Sequence, residues 1–256
     1  MNDIPTNTQE HTLNKDPVTT SASAFDAADG GEIMPEGLEC IVTKENSFGI
    51  RLIDTPEGRS KASLLINKMY SWRGYAGTHR LSDDANRVTL TANDHGKIVG
   101  TLTLGLDSPI GLLADELFKE EIDARRGPDS KVCEMTKLAF DSGPNSKAGL
   151  ASLFHICIIH ARDVHKCTDL FIEVNPRHSR FYERMMGFKR IGDVKMNPRV
   201  NAPAHLLWVK LAYMTEQIQK HGGKGANAGD ERSFYPLFFS PHEEIGIINR
   251  LLNMPS

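Results

Sequence analysis

Two periodicities divide the 256-residue chain. Period-two or continuous apolar runs at 48–54 (FGIRLID), 87–92, 97–106, 131–140 (KVCEMTKLAF), 169–175, 189–193 and 204–214 read as strands. Between them, Ala62, Leu65, Ile66 and Met69 share a helical face, with Thr55 as cap, Pro56 at the first helical position, and Tyr70 and Trp72 near the end. Residues 112–126 predict a second helix, with Leu113, Leu117 and Phe118 inward and Asp115, Glu116, Glu120 and Glu121 in water. A third, long and buried, spans 150–165 after a loop at 141–149. Residues 93–96 form a hairpin turn. Strands that alternate with helices after a hairpin give a mixed α/β (α+β) sheet flanked by helices.

Two stretches carry candidate chemistry. In 131–140, alternation puts Val132, Glu134, Thr136, Leu138 and Phe140 on one face. A carboxylate in so apolar a run needs a partner or a function unless its strand is an edge facing water. In 173–188, Pro176 keeps Asn175 extended and a short helix follows. Phe181 and Met185 lie four apart on it, while Arg177, Arg180 and Arg184 fall on another face and Gly187 ends it. Tyr182 thus sits one turn beyond a central strand, either as a proton donor or as a core tyrosine with its hydroxyl at the surface.

Charge and composition add the flanks. Residues 1–40 hold eight acidic groups and one basic, and read as a disordered acidic tail. The remainder carries 25 acidic and 29 basic groups, a mildly basic body that points to an acidic partner. The four cysteines form no CxxC pair, as in a cytoplasmic protein with reduced thiols, and His155, His160 and His165 do not share a helical face, so no metal is expected. The most apolar stretch, 149–161, is too short to span a bilayer, and neither a secretory leader nor a nucleic-acid partner is indicated. Residues 215–233 read as a Gly-rich linker. Beyond it lie an aromatic segment and a capping box at Ser240 and Glu243, opening an amphipathic helix within 234–256. That helix is expected to dock on its own domain or on the second subunit of a homodimer.

Asn175, Tyr182 and Gly187-Phe188 resemble, in type and spacing, the fifth strand and following helix of GNAT-type acyltransferases, and the element order is similar over about residues 41–214. The resemblance implies a mixed sheet splayed between its fourth and fifth strands, 131–140 and 169–175. It also implies a tyrosine that protonates a departing thiolate. The Arg/Gln-x-x-Gly-x-Gly/Ala turn with which ordinary members hold the coenzyme A pyrophosphate is not matched at 145–150.

Four segments, 113–125, 132–139, 175–188 and 200–204, resemble the N-acyl amino acid synthases of the FeeM type, relatives of the acyl-homoserine lactone synthases. That resemblance implies transfer of a long acyl chain from acyl-carrier protein to the α-amine of an amino acid. No tightly bound cofactor is implied beyond the donor's phosphopantetheine thioester, with acyl-CoA the lesser alternative. By the same resemblance Glu134 positions or deprotonates the amine, Thr136 and Lys137 orient the thioester or the acceptor carboxylate, and Tyr182 assists the thiolate. Lys137, Leu138, Trp72 and Asn175 bind substrate, and Arg177, Arg180 and Arg184 dock the acidic carrier. Two other functions stay open. One is a homoserine lactone synthase, whose N-terminal motif Trp72 with Asp83 and Asp84 faintly resembles. The other is a catalytically silent domain that binds an acyl ligand or a partner.

Overall fold

The computed structural model describes residues 39–42, 48–141 and 146–253. The acidic tail therefore lies outside the described residues except for its last two positions, which belong to a strand. An eight-stranded sheet runs β1 (Glu39–Val42), β2 (Phe48–Leu52), β3 (Arg87–Asp94), β4 (Lys97–Leu106), β5 (Val132–Phe140), β6 (Asp169–Val174), β8 (Ala202–Lys210), β7 (Lys189–Asn197). Every neighbouring pair is antiparallel except β5 and β6. The extra N-terminal strand makes the expected fourth and fifth strands β5 and β6. His95 and Gly96, both at positive φ, form the two-residue turn between β3 and β4.

Helices cover both faces. On one, Leu65, Ile66 and Met69 of α1 (Pro56–Trp72) pack on Ala139, and Phe118 and Ile122 of α2 (Asp115–Asp123) pack on Val132, Phe171 and Leu206. On the other, α3 (Ser146–Ile159) lies in the main core with Met186, closing α4 (Pro176–Met186). Buried residues of α5 (Leu211–His221) and α6 (Pro241–Leu252) join that core. Thr55 caps α1 by accepting from Gly58 N at 3.1 Å, and Gly187 ends α4 at φ 77°. Among the described residues no helix is long and apolar enough to cross a membrane.

Several boundaries differ from the sequence reading. Residues 160–164 form a π-helical turn at the end of α3. The last strand stops at Lys210, because Leu211, Met214 and Ile218 recur at three and four residues and bury a helical face; α5 thus extends into the stretch read as a linker. In α2, Phe118 and Ile122 are the deeply buried positions, and Asp115 is not solvated: its carboxylate accepts from Arg126 and from Leu112 N, both at 2.6 Å.

The C-terminal helix docks on its own domain through a buried histidine. His155 Nδ1 accepts from Phe239 N at 3.0 Å, so its Nε2 carries the proton and donates to Glu244 at 3.0 Å. Arg162 donates to the same carboxylate at 2.7 Å. The Ser240–Glu243 capping box holds the first turn of α6.

One irregularity in β5 decides which of its side chains face which helix layer. Lys137 sits at φ 53°, and the register with β4 slips there: Thr136 lies opposite Thr103, but Ala139 opposite Thr101. This bulge inverts the alternation. Leu138 and Phe140 therefore do not share a face with Glu134, as simple alternation requires. They pack with Met135 in the main core, while Ala139 turns to α1.

Candidate active site

Parallel pairing of β5 with β6 runs from Val132–Asp169 to Met135–Ile172 and stops. Thr136 and Glu173 hold the next register positions, but β5 stays with β4 and β6 stays with β8, through Glu173–Leu206 and Val174–His205. The strands part, leaving main-chain groups along the gap without a strand partner. A cavity of about 1020 Å³ occupies the opening, at the upper limit of the ~300–1,000 Å³ usual for small-molecule sites. It passes through the sheet, and the bulge sorts its walls. On the α3 side are Leu102, Met135, Leu138, Phe140, Leu150 and Phe154; on the α1–α2 side are Glu134, Thr136, Glu173, Asn197 and Arg199. A smaller cavity of about 290 Å³ shares Phe140, Leu150 and Phe181 with the apolar wall.

Glu134 is 3 % exposed and well partnered. Oε1 accepts from Leu113 N at 2.8 Å and Arg87 Nη1 at 3.3 Å, and Oε2 accepts from Ala114 N at 3.0 Å. These bonds fill three of a carboxylate's roughly four acceptor positions. They pin the turn that enters α2, which answers why a charge survives in this strand. Gly105, opposite, makes room: a Cβ there would stand 2.8 Å from Glu134 Cγ.

Thr136 and Leu138 line the cavity beside Lys137. Lys137 Nζ donates to the Arg80 carbonyl at 2.5 Å and pairs with no carboxylate among the described residues. Burial, with Arg87 and Arg199 nearby, lowers its pKa. The cavity thus holds a cation poised for an anion. Asn175 also lines it while capping α4, Oδ1 accepting from Arg177 N at 3.2 Å.

Tyr182 of α4 stands edge-on to Phe154, Phe181 and Phe188, with ring centroids 6.3, 5.2 and 6.1 Å away. The residue lines the cavity, and its hydroxyl makes no hydrogen bond among the described residues. Burial raises its pKa, so the phenol keeps its proton at neutral pH.

Other expected residues fall elsewhere. Trp72 is 78 % exposed and outside the cavity. Helix α1 ends there, and the chain folds back through Arg73 N and Tyr75 N to the Tyr70 carbonyl, both at 3.0 Å, so that Tyr70, Arg73 and Tyr75 line the site instead. The arginine stripe divides. Arg177 is exposed but tethered, its guanidinium 5.4 Å from the Tyr75 ring centroid and donating to Tyr75 Oη at 3.2 Å. Arg180 and Arg184 are exposed, without a carboxylate partner among the described residues.

Sequence reasoning missed Glu173, Asn197 and Arg199. Glu173 Oε2 accepts from Arg199 Nη2 at 2.8 Å, and Oε1 accepts from Asn197 Nδ2. Arg199 Nη1 also donates to the Leu113 carbonyl at 2.8 Å and to Glu116 at 2.6 Å, fastening the β7–β8 turn to α2. Burial pushes the Glu173 carboxyl above its usual range, against Arg199 and Asn197. The signal for Glu173 was present: it lies two residues past Phe171, which pairs with Glu134, and so shares that face. Asn197 and Arg199 reach the site only through the tertiary fold.

A parted parallel pair, a protonated phenol on one side and carboxylates on the other can hold an acyl thioester against an amine. The family model of the N-acyl amino acid synthase FeeM matches residues 61–210, more than half of the chain. The solved structure of FeeM, an N-acyl amino acid synthase from uncultured soil microbes, is 26% identical at TM-score 0.59, covering 66% of this chain and 93% of that one. The acyl-homoserine lactone synthase LasI is 11% identical at TM-score 0.49, over 64% and 90% of the two chains. An N-acetyltransferase from Staphylococcus aureus Mu50 is 14% identical at TM-score 0.44, over 64% and 98%. No curated protein matches the chain by sequence. The opened sheet is thus the GNAT acyltransferase fold, and the chain belongs to the FeeM family of N-acyl amino acid synthases, enzymes that transfer an acyl group to an amine.

Proposed function

We propose that this N-acyltransferase moves a long fatty acyl chain from the phosphopantetheine thioester of acyl-carrier protein to the α-amine of an amino acid in the cytoplasm. The observation that carries the reading is the sorted cavity: an apolar half large enough for a chain and a polar half for a zwitterion, joined at the parted strands. The thioester lies in the gap, where unpaired main-chain N–H groups can receive the carbonyl oxygen as it gains charge. Lys137 takes the acceptor carboxylate, helped by the Thr136 hydroxyl. Glu134 holds the turn entering α2 and keeps one acceptor position for the amine. Tyr182 gives its proton to the departing sulfur, which lets the tetrahedral intermediate collapse toward the amide.

An acyl group on a carrier protein brings no adenosine diphosphate, in keeping with the absence of the pyrophosphate turn from the sequence. The exposed Arg180 and Arg184, on the helix that presents Tyr182, would meet the acidic carrier. The test is incubation with acyl-carrier protein or CoA thioesters of graded length and pooled amino acids, products being read by mass spectrometry. N-acyl amino acids with a free carboxylate, formed faster from the carrier-bound donor, are expected. A lactone product requiring S-adenosylmethionine, or no product with any donor, would overturn the reading.

A further inference from the structure

The cavity presents two carboxylates on one face of the sheet, and they are differently used. Glu134 is committed to three donors from the α2 entry turn and from Arg87. Glu173 has two, Arg199 and Asn197, leaving one acceptor position on each oxygen. Its place also differs. Glu134 lies within the paired region, opposite Phe171, whereas Glu173 is the first residue of β6 beyond it, across the gap from Thr136.

We propose, resting on the acyl-transfer reading above, that Glu173 binds the α-ammonium of the acceptor and takes its first proton. Its surroundings suit that work. Glu134 on β5 and Glu116 on α2 add negative charge around it, Arg199 adds positive charge, and Tyr70 of α1 and Asn197 of β7 complete the polar wall. Burial, reinforced by the two acidic neighbours, raises the proton affinity of Glu173 beyond that of a solvated glutamate. A carboxylate so placed gains from a neighbouring ammonium and is a stronger base than a surface glutamate.

The protons balance. The ammonium gives one proton to Glu173, which passes it to solvent. The neutral amine attacks the thioester carbon, forming C–N and placing charge on oxygen. When C–S breaks, Tyr182 supplies the proton of the thiol, and the second proton lost from nitrogen restores Tyr182. No co-reactant is required.

The experiment is steady-state kinetics of wild type, Glu173→Gln and Glu173→Asp across pH 5 to 9, with melting curves for each. Glutamine still accepts from Arg199 but cannot take a proton. Glu173→Gln is expected to melt with wild type, lower kcat/KM for the amino acid at least tenfold and abolish the acid limb of its pH profile, with KM for the acyl donor unchanged. Glu173→Asp, shorter by one methylene, is expected to keep the acid limb and raise the acceptor KM. An active wild type with kcat/KM and acid limb unchanged in Glu173→Gln overturns the proposal alone. If that variant does not fold, acceptor KM and acid limb both unchanged in Glu173→Asp overturn it equally. A wild type that makes no N-acyl amino acid overturns the underlying reading.

Discussion

Thr136 and Glu173 occupy the first register position at which β5 and β6 no longer pair, and each keeps its other neighbour, Thr103 on β4 and Leu206 on β8. The opening is therefore built into the sheet and does not depend on a mobile loop. Thr136 and Glu173 are fixed by strand pairing on their outer sides.

On the proposed reading, Tyr182 separates catalysis from stability. Its hydroxyl has no protein partner among the described residues, while its ring packs on three others. Tyr182→Phe is expected to leave the melting temperature unchanged and to lower kcat on the order of 10²-fold. A poorer thiol leaving group should widen the gap between variant and wild type, read by comparing donor thioesters. Equal rates for the two proteins would refute the donor role.

Glu134 behaves oppositely. Glu134→Ala would strand two main-chain N–H groups and leave Arg87 paired with Asp84 alone, costing about 3–5 kcal/mol by the usual scale for broken buried pairs. Glu134→Gln keeps one acceptor oxygen and should lose less stability, yet turnover is expected to fall at least tenfold as the α2 entry turn loosens around the amine. Chemical denaturation and activity assays on both variants decide the matter.

Charge reversal of Arg180 and Arg184 to glutamate is expected to raise KM for the carrier-bound donor roughly tenfold at low salt, and less as salt screens the contact. The same variant should use acyl-pantetheine as well as wild type does. Loss with both donors would point to damage in the cavity.

Acid should weaken the fold from the α3 side. Burial holds His155 below its ordinary pKa and, with His165 nearby, pushes His160 down to about 4, so both stay neutral in the native state. An unfolded histidine takes up a proton near pH 6.5, so their share of stability is full above that pH and declines as pH falls through 6.5 toward 4. Glu244 adds to the trend: burial opposes its ionisation, but hydrogen bonds from His155 and Arg162 lower its pKa overall. The His160 shift alone corresponds to a loss on the order of 3 kcal/mol across that range. His160→Phe should flatten the stability profile between pH 6.5 and 4, measured by denaturant titration.

Much of this was legible in the sequence, for physical reasons. Pro176 and Gly187 fix the ends of α4, and Asn175, Tyr182 and Phe188 follow from that frame. The carboxylate of Glu134 was conspicuous because its neighbours are apolar. What escaped reading depends on distance along the chain: Arg199 reaches Glu173 from 26 residues away, and Arg177 is claimed by Tyr75 from 102 away. The bulge escaped because lysine is an unexpected residue at positive φ, and alternation assumes that no residue is extra.

That extra residue would make the enzyme modular. On the proposed reading, Glu134 and Thr136 before Lys137 face the acceptor, and Leu138 and Phe140 after it face the chain, so changes at these two pairs of positions are expected to act on different substrates. Acyl length and amine choice can then drift independently during evolution, or be engineered one at a time, within a single strand.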